Sequence, residues 1–596
     1  MPANAVSNAD RIIPNDSQHD VTSFNILIEG QEIDTTVQVM MIVITQEVNR
    51  IPSAKIIIRD GDPATETFSV SETSQFIPGK NIDIKIGRDG HNDSVFKGII
   101  VKHSLKARQN GNSTLTIECK DKSVQLTVNR KNRYFEQMKD SDAISTVLSS
   151  FAGSVKSTNL VHKEIVQYYS TDWDFVLSRA EVNGLLLIAD AGKVDVKEPD
   201  TSTPSVVTLV FGSNLLEFES EMDARSQWSE VQTQAWDYTN QALFEASSSS
   251  SGSFSEHGNV SGSTLSRVVG PDKLMLRHTG HVKAEELKAW ADATMVRSRM
   301  SKIIGRAKII GLSTVKPGVC VTLQGMGNRF NGKAYVTAVR HEMSEGSWFT
   351  HIQFGLSQER VAQKPDFSEV PAAGLIPPIH GLHIGVVTQL ENDPDGEDRI
   401  LVTLPLLNKN EKGIWSRVST LDAGKERGSF FRPEIGDEVI VGFINDDPRH
   451  AIILGMLNSS AKPAPLPAKD TNHIKGFVTR SKMKVLFDDE KSIITIETPG
   501  KNTMIISDDE KTITIKDQTD NEIKMSTDGI SMKSPKDIKI EATGKISIKA
   551  SQDVSIEGGT NTTIKAGANL TAQGQAGAEL SSSAIAKVKG ATVMIN

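Results

Sequence analysis

From Phe24 to about Leu126, apolar and polar residues alternate in steps of two, as in Val37 to Ile44 and at Ile82, Ile84 and Ile86. Turn signals at Asp60-Gly61-Asp62-Pro63 and Arg88-Asp89-Gly90 interrupt the alternation. This is the period of half-buried strands, and it predicts a strand-rich barrel or sandwich. Helical spacing then takes over: Ile144, Val147, Leu148 and Phe151 share one face of a helix predicted over 142–151, with Ser141 as its cap and Gly153 as its stop. Further helices are predicted over 172–182, ending at Gly184, and over 284–300; strands are expected after Leu185 and again between Ile303 and Leu356. The serine run 247–251, followed by Gly252-Ser253, is expected to be a mobile surface loop because it is too polar to pack.

Four prolines fall in 365–378, which reads as a linker. Beyond it, 381–457 has the size of an OB fold, with short strands expected at 384–390, 400–404, 438–443 and 451–457, and a turn at Asn392-Asp393-Pro394-Asp395-Gly396 joining the first two. A second proline-rich linker, 462–467, precedes the C-terminal segment.

That segment has its own pattern. Short apolar pairs recur at Ile494/Ile496, Met504/Ile506, Ile513/Ile515, Ile523/Met525 and Ile530/Met532, and Asp488-Asp489-Glu490-Lys491 returns as Asp508-Asp509-Glu510-Lys511. From Ile538 the period is eight: Ile538/Ile540, Ile546/Ile548, Val554/Ile556, Thr562/Ile564, and so on to Met594/Asn596. Gly544, Gly558, Gly567, Gly574 and Gly590 lie between pairs, where turns are needed. No Phe, Tyr or Trp occurs after Phe487, so an ordinary globular core is not expected here. Each octad would supply one narrow strand that cannot bury its apolar edge alone. A single-chain β-helix usually has longer coils; the short period and small β-branched interior favour three chains wound into a triangular prism.

Composition narrows the rest. With 596 residues the chain is expected to form several units, and its net charge of −8 removes any general electrostatic case for nucleic acid or anionic lipid. The N-terminal 20 residues lack the basic and apolar regions of a secretory signal, and no apolar run reaches the ~20 residues that span a bilayer. Synthesis in the cytosol is expected, with any exit by a route that reads no N-terminal signal. Cys119 and Cys320 stand in strand-like contexts and read as two buried thiols.

Three stretches carry a resemblance. Residues 168–185 contain Trp173-Asp174-Phe175, Ser178-Arg179, Glu181 and Gly184, a W-D-F-x-x-S-R-x-E-x-x-G pattern similar to the hub signature of the VgrG spike proteins. Residues 330–342, from Phe330-Asn331-Gly332 to Arg340-His341-Glu342, resemble the end of that family's hub, and Arg432-Pro433-Glu434-Ile435-Gly436-Asp437-Glu438 resembles its OB signature. The resemblance implies a mainly β protein: a hub of β-barrel domains with a few helices, an OB-fold domain, and a trimeric triple-stranded β-helix, or prism, as a C-terminal needle. The corresponding boundaries are 1–20, a flexible N-terminus; 21–364, a phage-hub-like region of two barrel units with helical insertions; 365–380, linker; 381–458, OB fold; 459–475, linker; and 476–596, the prism. It further implies a homotrimeric central spike of a type VI or extracellular phage-tail-like injection machine. Such a spike would be built in the cytoplasm and released with the particle, touching the target membrane only during injection. Its partners would be inner-tube and baseplate proteins, effectors and a PAAR-type tip protein. Some relatives carry an enzyme before or after the prism; the short 458–472 gap and the last repeat at Asn596 leave no room for one here.

The residues themselves weigh against chemistry. His341-Glu342-Met343-Ser344-Glu345 lacks the second histidine of a zincin, and His278/His281 and His380/His383 lack a third ligand. There is no G-x-S-x-G elbow, and Gly325-Met326-Gly327 lacks the final glycine and the helix of a dinucleotide site. The acidic clusters 488–490 and 508–510 read as solvated turns rather than calcium sites. Arg179 and Glu181 read as structural partners. No catalytic residue, metal or cofactor is expected. The expected trimer core is Ile538, Ile540, Ile546, Ile548, Val554, Ile556 and Ile564, and the expected docking surface for the tip protein is Val593, Met594, Ile595 and Asn596. The alternative is a phage-type baseplate hub or adhesin with an enzymatic activity in the hub or the Ser247 loop.

Overall fold

The computed structural model describes residues 21–109, 111–408 and 413–595. The N-terminal 20 residues, expected to be flexible, and Asn596, expected to help dock the tip, lie outside the described residues. The chain divides into two compact units, one ending at Gly455 and one beginning at Met456.

In the first unit the alternating pattern produces a 13-stranded sheet. Its N-terminal half closes over Ile26, Ile42, Ile56, Ile84, Phe96 and Ile117, and its other half over Leu209, Ile309, Val321, Val336, Ile352 and Phe354. The two β-rich parts of the hub share this sheet. The long strand Gly332–Ser344 pairs on one side with Val39–Glu47 and on the other with Ser347–Phe354.

A helical layer forms a separate core. Helices α1 (Asp140–Leu148) and α2 (Asp172–Val182) enclose Ile144, Leu148, Val176 and Phe175, whose ring stacks on Phe135 at 5.6 Å between centroids. α2 is specified locally: Thr171 Oγ1 accepts from the Asp174 N–H, Asp172 and Asp174 occupy its first turn and Arg179 its last. Gly184 comes next at φ +70, and a Cβ there would lie 3.2 Å from Ala293 Cα of α3 (Ala284–Met300).

Some local expectations are corrected. α1 begins at Asp140 with Lys139 as N-cap and no side-chain cap bond, and it ends at Leu148 before a 3-10 turn, rather than running over 142–151 under a Ser141 cap. Asp140 is held by basic and amide side chains from α2 and its surroundings, which sets the helix start two residues earlier. The serine run lies at the surface, with Ser247, Ser249 and Ser250 exposed, but it is not wholly a loop: Ser247 and Ser248 end the strand Ala242–Ser248, and Ser248 is buried. Ser253 Oγ donates to Pro199 O at 3.2 Å, and the next residue, Phe254, is buried and anchors the end of the run. Polarity of the run is no obstacle, because its hydroxyls find backbone acceptors. The proline segment is also tied down, with Phe367 against the helical-layer core and Ala372 buried.

Next comes a closed five-stranded barrel: His383–Gln389, Ile400–Thr403, Ile414–Val418, Ala451–Met456 and Glu438–Phe443. Val387, Val402, Val439, Val441 and Ile453 fill it. Ile414–Val418 carries no strong alternation and was not expected from the sequence.

In the second unit, seven strands of five residues each, from Ile474–Val478 to Gly529–Lys533, form an antiparallel meander in sequence order. Beyond it the chain is extended, with bends at 535–536, 543–544, 551–552, 559–560, 567–568, 575–576, 583–584 and 591–592. The eight-residue period is therefore present, but the octads are not strands within this chain: among the described residues no ladder pairs them, and a strand is defined by its partner. Nor do the glycines supply left-handed turns. None of the described ones after Gly529 has positive φ. Close approach of backbone explains two of them: a Cβ on Gly574 would lie 2.0 Å from Gly577 O, and one on Gly558 2.8 Å from Asn561 O, whereas Gly544 and Gly567 have open space around the same position.

Candidate functional site

The apolar pairs of the meander fall opposite one another by register. Phe487 faces Ile494, which faces Ile506, then Ile513, Met525 and Ile530; beside this column Ile496, Met504, Ile515, Ile523 and Met532 form a second. The longer column crosses six strands, which at ~4.8 Å spacing make a two-column apolar face ~24 Å tall. It is uncovered in the single chain: Ile496 is 43 % exposed, Ile515 46 % and Met532 57 %. An open groove of about 510 Å³, lined by Ile496, Met504, Ile515, Ile523 and Met532, runs along it and reaches Ile538.

The octads continue this exposure. Ile538, Ile540, Ile546, Ile548, Val554, Ile556 and Ile564 are all more than half exposed, Ile548 at 73 %. Val593, Met594 and Ile595 are exposed as well. Among the described residues nothing in their own chain covers the expected trimer-core residues, and the groove along the meander columns reaches the first of them, Ile538. Reading the sequence by pairs finds the individual stripes; the register that stacks them into one face needs the hairpin turns, at Asp488 to Lys491 for example, where Asp488 Oδ1 accepts from the Glu490 and Lys491 N–H groups.

The hub signature is a staple. Arg179 donates from Nε and Nη2 to the two oxygens of Asp140 at 2.6 and 3.0 Å, and reaches Glu286 of α3 at 3.2 Å. Glu181 pairs with Arg297 of α3 at 2.8 Å and accepts from the Val361 N–H at 2.9 Å. Asp172 is held by Lys131, Arg133 and Gln167. Arg179, Glu181 and the Asp172 that precedes the motif therefore bind α2 to α1, α3 and the strand Lys131–Lys139, while the motif's own Asp174 accepts from the Thr171 hydroxyl at the helix cap. A second buried set escapes sequence reading altogether: Lys302, 1 % exposed, donates to the carbonyls of His257 and Val260 and pairs with Glu256 at 2.9 Å.

The candidate chemical groups are dispersed. His341 lies buried on the strand Gly332–Ser344 with Nδ1 3.0 Å from Thr350 Oγ1, and burial, aided by Lys316, pushes its pKa down to about 3. His278 bonds the Gly280 backbone, His281 lies beside Asp237, and His380 beside Asp446. Gly325 and Gly327 shape a turn closed by Asn331. Among the described residues no group of three or more His, Cys, Asp or Glu is placed to hold a metal ion, and no helix is long and apolar enough to cross a membrane. Both thiols are buried and free, that of Cys119 pushed up to about 12 by burial.

Burial by itself would raise the pKa of Asp140, but hydrogen bonds from His162, Arg179 and Asn183 and the Arg179 charge outweigh it, so the carboxyl sits well below its usual range. A depressed carboxylate contributes stability that is present above the unfolded pKa of ~3.9 and is lost as the pH falls through and below it. Asp140→Asn is expected to destabilise the hub by about 2–4 kcal/mol at pH 7 and to flatten its loss of stability between about pH 4.5 and 2, as read by thermal melting across pH.

Comparison with known proteins places this architecture. Residues 383–457 match the type VI secretion system/phage-baseplate injector OB domain, and 18–345, more than half of the chain, match the Alg8 N-terminal domain. The type VI secretion system spike protein VgrG1a of Pseudomonas aeruginosa is 44 % identical over 76 residues, 12 % of this chain and 11 % of that protein; VgrG1b of the same organism is 42 % identical over 76 residues. The aligned part thus spans about a tenth of the length of these curated relatives. Among solved structures, a tail protein from Neisseria meningitidis aligns at 14 % identity and a TM-score of 0.42, covering 57 % of this chain and 98 % of that one. The Francisella PdpA-VgrG complex aligns at 9 % identity and a TM-score of 0.38, covering 87 % and 80 %. With a signature that staples a hub, an injector OB barrel and an uncovered apolar C-terminal face, the chain belongs to the family of the Alg8 N-terminal domain and is a VgrG-like spike protein.

Proposed function

We propose that the chain acts as the homotrimeric central spike of a contractile injection system, piercing a target envelope and carrying a tip protein and effectors. One observation carries the reading: the extended octads and the meander's two apolar columns are uncovered in a single chain. Ordering an extended segment costs about 1–2 kcal/mol per residue in backbone entropy, and the octads have no ladder of their own to offset it. Burial of each isoleucine contributes about 1.5–3 kcal/mol once a partner covers it. Two further copies of the same chain supply that cover with matching period, and a three-walled prism closes every strand edge. Its hydrogen-bonded shaft is narrow and stiff, suited to transmitting the thrust of a sheath.

On this reading the spike has no catalytic activity of its own; it assembles in the cytoplasm with inner-tube and baseplate proteins and leaves with the particle. Val593, Met594 and Ile595, with Asn596, form the docking surface for a PAAR-type tip protein, since three copies present an apolar triangle to water.

Ile548→Asp would set three carboxylates near one axis, where each must be desolvated or protonated. Sedimentation is expected to show a dissociated or much weakened trimer, and an equally stable one would sink the model. Deletion of 593–596 is expected to leave the trimer intact while abolishing capture of the tip protein in a pull-down; retention at unchanged affinity places the docking site elsewhere. The purified trimer should leave peptidoglycan, lipid and nucleic acid intact, and degradation abolished by a point substitution in this chain would overturn the non-enzymatic reading.

A further inference from the structure

The apolar pairs occupy one side of each extended octad, so the residues just before and just after each pair lie on the opposite, outward side. Their charges obey a rule that the apolar period does not require. The first octad strand is flanked by Asp537 and Glu541, the next by Lys545 and Lys549, and the third by Asp553 and Glu557. Lys533, which closes the last meander strand, and Lys565, which closes the fourth octad strand, extend the alternation in both directions. By their flanking positions the strands are thus basic, acidic, basic, acidic, basic in order, although Lys539, outward between Asp537 and Glu541, pairs with Glu541 at 2.7 Å within its own chain. All these side chains are exposed, and among the described residues those from Lys545 to Lys565 have no ion-pair partner in their own chain.

We propose that these outward columns form an interchain charge ladder that sets the axial register of the prism. The inference rests on the three-chain reading and specifies how the chains recognise one another. Let three chains be related by a threefold axis, each stepping to the next wall at every bend. On any wall, the strand lying against a given octad is then the following octad of a neighbouring chain. Each acidic strand then meets Lys545 and Lys549 at both of its ends on one side and a single lysine, Lys533 or Lys565, on the other, across the ~4.8 Å strand spacing. A slip that places an octad against its own equivalent, or against the octad two further on, sets like charge against like at most of these rungs. The apolar pairs cannot make this distinction, because Ile538/Ile540, Ile546/Ile548 and Val554/Ile556 are nearly interchangeable. Strands so regular are prone to register slippage, and charge is the device that excludes it.

The test uses the full chain. Lys545→Glu with Lys549→Glu makes three successive acidic strands while leaving the apolar pairs untouched. The trimer of this variant is expected to melt about 5 °C or more below wild type at low salt, with the deficit shrinking as salt is raised. Reversing every charge between Lys533 and Lys565 is expected to restore the wild-type midpoint, which a merely local effect of the two substitutions would not allow. A trimer of unchanged midpoint in the double variant, or a full reversal as unstable as the double variant, overturns the ladder while leaving the trimer standing. A wild-type chain that sediments as a monomer overturns the trimer itself, and the ladder with it.

Discussion

Backbone hydrogen bonding governs what the C-terminal unit of this protein can be. A chain whose side chains are small and whose rings stop at Phe487 has little to bury around itself, and in the octads its amides and carbonyls find no ladder in their own chain. Water can satisfy those groups one by one, but it cannot hold them in a straight, regularly bent course. Only other strands can, and only if they share the eight-residue step. The apolar pairs, the spacing of the bends and the close-approach glycines all conform to that single requirement.

Legibility in the sequence tracked the source of the order. α2 and α3 could be read from the sequence because their end charges and apolar spacing are local, as is the Thr171 cap of α2. α1 could not, since its start is fixed by Arg179, 39 residues away, rather than by the nearby serine. At the serine run 247–251 the hydroxyls of Ser248 and Ser251 bond carbonyls two and three residues on, and only the following Ser253 reaches distant backbone, at Pro199, which no window of sequence contains. In the candidate site the apolar period was fully visible. The continuous face was not, because pairing Ile496 with Met504 and Ile515 with Ile523 depends on hairpin register.

The hub solves a different problem from the shaft. It encloses several distinct hydrophobic cores and must hold them as one body. Its buried charges do this by crossing between elements: Arg179 and Glu181 tie three helices and the segment at Val361, while Lys302 draws the His257 to Val260 segment onto the end of α3. Such pairs add little to net stability compared with apolar contacts of the same volume, but they fail abruptly when one partner is removed. A hub built this way resists gradual deformation.

The split between a meander and partnerless octads also fixes an order of folding. In the meander every strand pairs with its sequence neighbour across a short turn, so it can form within one chain on the timescale of hairpins, independent of concentration. On the three-chain reading the octads gain order only at an encounter of chains, which makes their folding a concentration-dependent step that begins at the preformed edge at Lys533 and travels toward Ile595. A shaft formed in this way grows as a zipper in one direction, and its far end is the last part of the molecule to become rigid.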